Sequence, residues 1–186
     1  MGYVEGFVIA VPAANKDAYR QHAAQAAPLL KQFGAIRLVE CWGDDVPDGK
    51  TTDFKRAVKA EDGEVVVFSW LEYPSKAVRD AINEKMMNDP RTKEMSATMP
   101  FDGKRMIFGG FASMIDEGNG GALGYADGMV VAVPAANKAA YEALAARAAA
   151  ISLMDWRRRP RRAHSHTSAT RQPSPSNALA ARASTS

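Results

Sequence analysis

The chain has 186 residues, 46% of them apolar, enough for one or two globular domains and too many for a wholly disordered chain. Its net charge of +3 is uneven: residues 156–186 carry seven Arg and no acid, which leaves residues 1–155 with 17 basic and 21 acidic side chains. A mildly acidic body argues against a nucleic-acid-binding domain, and a single cysteine, Cys41, excludes an intrachain disulfide and fits a cytoplasmic location.

No basic n-region followed by an apolar stretch opens the sequence, so no signal peptide is expected. No apolar run approaches the roughly 20 residues of a membrane span. Residues 3–11 read as a strand. Tyr3, Phe7, Ile9 and Val11 share one face, and Val4, Gly6, Val8 and Ala10 share the other, so both faces need cover. Asn15 is placed to cap a helix running to Phe33, whose apolar stripe includes Tyr19, His22, Leu29 and Leu30, with Gly34 as its stop and Pro28 expected to loosen it. Residues 35–42 read as a second strand, followed by an acidic, turn-rich loop through Lys50. Residues 53–59 read as a short strand extension, and Glu61 to Gly63 as a tight turn. Residues 64–73 carry the strongest strand signal. Ser75 caps a helix to about Asn88, a helical turn is expected over 91–96, and residues 104–115 read as the last strand, with Gly109 and Gly110 marking a bulge or a close backbone approach.

The order β-α-β-β-α-β is the ferredoxin-like arrangement of an α+β unit, an antiparallel sheet with both helices on one face. The other face would be bare although its residues are apolar. A second copy of the same sheet is the economical cover, so a homodimer is expected.

Part of the first unit is written twice. Residues 3–29 recur at 125–151 with 16 identities in 27 positions, after a Gly-rich linker at 118–124. The copy should supply a strand over 125–133 and, capped by Asn137, a helix to about Ile151. The equivalents of residues 35–115 do not follow. From residue 152 the sequence turns to Arg, Pro, Ser and Ala, which reads as a disordered basic tail. The abrupt change is what a shifted reading frame in a GC-rich gene would write.

Residues 1–117 resemble a bacterial family of unknown function, the YbaA-like proteins. The matching text is Tyr3-Val-Glu-Gly-Phe-Val8, Val39-Glu-Cys-Trp-Gly-Asp-Asp-Val-Pro-Asp-Gly-Lys50, Val67-Phe-Ser-Trp70, Tyr73-Pro-Ser75 and Met99-Pro-Phe-Asp-Gly-Lys-Arg-Met-Ile-Phe-Gly-Gly-Phe111. The resemblance implies the dimeric α+β barrel, in which two ferredoxin-like sheets pack face to face. It transfers no catalytic residue.

The chemistry-bearing residues carry weak signals. Cys41 has no base beside it in sequence, and a buried small apolar residue is its ordinary role. His22 lies on an apolar stripe, where a packed histidine outweighs a proton shuttle. Asp44, Asp45 and Asp48 lack the spacing of a calcium loop, so no metal is expected, and no cofactor. Arg105 is a candidate anion partner, with surface ion pairing as its plainer role. His22, Cys41, Trp42, Trp70 and Arg105 are the candidate ligand-pocket side chains, with the catalytic set unknown. The expected function is binding of a small apolar or anionic ligand. The alternatives are a dimerisation or assembly module and, on a name some relatives carry, RNA binding; nucleic acid is not an expected partner.

Overall fold

The central strand is apolar on both sides and needs neighbours at both edges. β1 (Tyr3–Pro12) pairs antiparallel with β3 (Glu64–Tyr73) at one edge and with β4 (Ile107–Ala112) at the other, while β2 (Arg37–Trp42) pairs with the outer edge of β3. The sheet order is β2-β3-β1-β4, which is the ferredoxin-like arrangement of an α+β fold. The computed structural model describes residues 2–117 and 124–158, with side chains described through 150.

Two helices form the layer on one face. α1 (Lys16–Phe33) runs through Pro28 and stops at Gly34, whose left-handed φ of 118° a side chain resists. α3 (Lys76–Asn88) begins where the Ser75 hydroxyl accepts a bond from the Val78 amide at 3.3 Å. Between helices and sheet, Leu30, Leu71, Tyr73 and Ile82 form one buried cluster, and Ile9, Val11, Tyr19 and Val67 another. Asn15 caps α1 by position only; its side chain donates instead to the Pro100 carbonyl at 2.9 Å and ties down the loop before β4.

Four expectations need correction. Residues 53–59 are not a strand extension. The Asp53 carboxylate accepts the Arg56 amide at 2.7 Å and nucleates a short helix, α2 (Phe54–Ala57). With Val58, this helix covers Val8, Ala10 and Val66 on the second face of the sheet. The last strand is shorter than 104–115, because Asp102 accepts the Lys104 amide and turns Gly103–Arg105 into a 3₁₀ turn. Residues 125–133 form no strand at all. They copy a central strand without copies of its two neighbours, so their backbone groups find no ladder. The helix of the copy, α5 (Lys138–Arg158), outruns its expected end at Ile151, since residues 152–158 hold no Gly or Pro to stop it. Residues 118–123 of the linker and 159–186 of the tail lie outside the described residues.

The expected helical turn over 91–96 is α4 (Pro90–Ala97), capped by Asp89. Gly109 and Gly110 mark a close approach rather than a bulge. The register with β1 is continuous, and a side chain at Gly110 would strike the Tyr3 hydroxyl and the Arg79 guanidinium. That space is occupied by an inward-facing ion pair. Glu5 is 3% exposed on the helix-facing side of β1. It receives the Tyr73 hydroxyl at 3.1 Å and Arg79 Nη1 at 3.3 Å, and Arg79 also donates to the Tyr3 hydroxyl at 3.1 Å.

A buried carboxylate stripped of its cation is costly. Arg79→Leu is expected to lower the unfolding free energy by about 2–4 kcal/mol, and adding Glu5→Gln should restore part of the loss. Urea unfolding of the two variants checks this.

Candidate ligand cavity between the first helix and the second strand

Alternation along β2 turns Leu38, Glu40 and Trp42 toward the helices and Val39 and Cys41 away. Because β2 is an edge strand, α1 overhangs it without closing against it. The gap is a cavity of about 380 Å³, mostly apolar, walled by Ala23 and Ala27 of α1 and by Leu38, Trp42 and Val67 of the sheet. Lys16, Asp17 and Arg20 stand at its rim, and Lys16 Nζ lies 5.3 Å from the centre of the Trp42 ring.

The polar feature of this wall is a phenol–carboxyl pair. The Tyr19 hydroxyl donates to Glu40 Oε2 at 2.7 Å. Burial pushes the Glu40 carboxyl above its ordinary value, and hydrogen bonds from Tyr19 and Ser69 only partly offset this. Tyr19 is driven far above the ordinary phenol range, first by burial and then by the charge of Glu40. Ser69, the cross-strand partner of Glu40, is buried beneath the pair. A carboxyl so placed holds its proton to a higher pH than a free one and can anchor a polar group of a ligand whose body lies along the alanines.

The sequence candidates do not converge. Trp42 lines the cavity, its ring 6.4 Å from that of Tyr19. His22 lies on α1 with its ring edge-on to Phe101 at 6.2 Å, and burial lowers its pKa. Cys41 faces the opposite side of the sheet, where burial and then the charge of Glu40 raise its thiol. Trp70 is on that opposite side too, and its indole donates to Glu72 Oε1 at 3.0 Å. Arg105 is committed elsewhere. It grips Glu64 with two bonds of 2.7 and 2.6 Å and donates to the Lys59 carbonyl at 2.9 Å. It also pairs with Asp102. Lys55, not Arg105, pairs with Asp48 of the acidic loop. Among the described residues no group of three or more His, Cys, Asp or Glu is placed to hold a metal ion.

Glu40 and Tyr19 were not among the sequence candidates. The signal that finds them is phase. In Leu38-Val39-Glu40-Cys41-Trp42 the carboxylate shares its face with Leu38 and Trp42, where a strand packed on helices is apolar. Glu5 breaks the pattern of β1 in the same way.

Glu40 binds its proton more tightly in the folded state than in the unfolded one, so its contribution is full below its ordinary value of 4.5 and is lost as pH rises through its raised folded value. Glu40→Gln removes that loss. The stability of the variant relative to the parent is expected to grow as pH rises above 4.5, by at most about 1.4 kcal/mol per pH unit. Urea midpoints at pH 4 to 8 check the sign.

A family described as "Protein of unknown function (DUF1428)" matches residues 2–103. YbaA of Escherichia coli K12 is 72% identical over 117 residues, 63% of this chain and 100% of its own length, and YbaA of Shigella flexneri matches to the same extent. Among solved structures, a NIPSNAP domain protein from Burkholderia xenovorans aligns with a TM-score of 0.42 and 17% identity, covering 60% of this chain and 93% of its own. A dimeric ferredoxin-like protein from an uncultured marine organism aligns with a TM-score of 0.33 and 11% identity, covering 59% and 91%. The family match over more than half the chain, and the full-length match to YbaA, make this chain a member of the DUF1428 family.

Proposed function

We propose that the first unit binds a small, largely apolar molecule bearing a hydrogen-bonding group and an anionic end, in the cavity between α1 and β2. One observation carries the reading: a 2.7 Å phenol–carboxyl pair set in an otherwise apolar wall. A cavity of about 380 Å³ suits a compact ligand. The alanines and Trp42 accept its body, the Tyr19–Glu40 pair fixes its polar group, and Lys16 and Arg20 at the rim favour a negative charge there. Any chemistry at the site would be proton transfer through Glu40.

The reading includes a homodimer through the second face of the sheet. That face presents Val39, Trp70, Ile107 and Phe111 with no helical layer over them among the described residues, and Phe111 is 58% exposed. A cytoplasmic location is part of the same proposal and rests on the use of a single, unpaired cysteine. Among the described residues no helix is long and apolar enough to cross a membrane.

Thermal-shift screening of the full chain against aryl and short alkyl carboxylates tests the cavity. A ligand at about 100 times its Kd adds about 2.7 kcal/mol of stability, a rise of several degrees in Tm. Ala23→Phe, which fills the cavity, is expected to abolish that shift, and Glu40→Gln to reduce it. A shift that survives both substitutions places the ligand elsewhere and defeats the proposal.

A further inference from the structure

The second face of the sheet is not bare along its whole length. α2 and Val58 cover the end carrying Val8, Ala10 and Val66. Beside them runs a large groove whose floor includes Val39, Cys41, Phe68 and Ile107, and whose other wall is residues 124–131, the start of the copied stretch. The copied segment touches the sheet through one of its sides. Ala126 and Gly128 are half-buried while Tyr125, Asp127 and Met129 are exposed, the alternation of an extended chain lying on a surface, and it ends at Val130, which is exposed. Gly128 rests on the Phe68 ring so closely that a Cβ there would stand 3.1 Å from it. The Tyr125 hydroxyl reaches Asp44 Oδ2 at 3.5 Å.

The equivalent glycine of the first copy, Gly6, lies on this same sheet face, where a Cβ would stand 3.7 Å from the Phe111 ring. Thus both copies turn a glycine toward an aromatic side chain of one surface, the first from within the sheet and the second from above it. Two sheets packed face to face lie about 10 Å apart. A chain already lying on Phe68 occupies that interval.

We infer that residues 124–131 and a second copy of the chain compete for the same face of the sheet, so that the appended repeat restrains self-association. The inference rests on the homodimer reading above, and its test separates the two. Cys41 is the chain's only cysteine and lines the groove opposite the segment. In Ala126→Cys, a short bis-maleimide should therefore join the two thiols within one chain, at a yield independent of protein concentration. Sedimentation equilibrium then compares four full-length forms: the parent, the parent alkylated at Cys41 by N-ethylmaleimide, the cross-linked variant, and Gly128→Glu, which forces the segment off Phe68.

The cross-linked form should stay monomeric under conditions where the alkylated parent still associates. Gly128→Glu should associate about tenfold more tightly than the parent. Failure to cross-link within one chain, or one dissociation constant shared by all four forms, overturns the competition and leaves the homodimer standing. Monomers throughout, Gly128→Glu included, overturn the homodimer and the competition with it.

Discussion

β1 is hydrogen-bonded along both edges and packed on both faces, and the other elements are placed by those four demands. Its ten-residue register with β3 and six-residue register with β4 fix which side chains face the helices. A slip by one residue would exchange Ile9 and Val11, at the heart of one core, for Val8 and Ala10 of the other. Such a strand cannot serve as a surface, and each layer above or below it is a consequence. α1 and α3 answer one face. α2 and residues 124–131 answer part of the other, where Ile107 and Phe111 stay exposed.

Within that frame the inward polar groups stand out because they violate it. Glu5 and Glu40 both sit in phase with apolar neighbours, yet they are handled differently. Glu5 is given a guanidinium and a phenol and is locked. Glu40 is given a phenol and a serine hydroxyl, no cation, and an opening toward solvent past α1. A fully compensated buried charge fixes geometry; a partly compensated one beside a cavity is free to respond to what enters. The difference follows from position, since β1 is central and β2 lies at the edge, where a helix overhangs without sealing.

Much of the architecture was legible from residues. The strand 64–73, the stop at Gly34 and the cap at Ser75 follow from local rules whose structural causes are local too. Residues 53–59 misled because Asp53 reads as loop or strand until its carboxylate is seen to fold back on the Arg56 amide. Residues 125–133 misled because strand text specifies a side-chain pattern and not the neighbours that must complete it. The site was harder. His22, Cys41, Trp42, Trp70 and Arg105 were chosen by residue type, and type does not say which way a side chain points. Arg105 is held by carboxylates and a carbonyl near the start of β3, a fate that only the meeting of distant segments decides. Glu40 was visible through phase but stood just before Cys41 and Trp42, whose chemistry is more conspicuous.

β4 brings a different consequence. It is an edge strand, and among the described residues nothing pairs with its outer side. It carries no charge along Ile107–Ala112, and Phe108 and Phe111 are 65% and 58% exposed. Natural sheets guard such edges with lysine, proline or a bulge; here only brevity and two adjacent glycines stand in the way. The glycines cannot be exchanged for a gatekeeper at position 110, because Tyr3 and Arg79 fill the space a side chain would need. The close packing that settles the Glu5 ion pair therefore leaves the outer rim of the sheet adhesive, and in concentrated solution edge-to-edge stacking becomes this fold's route to aggregation.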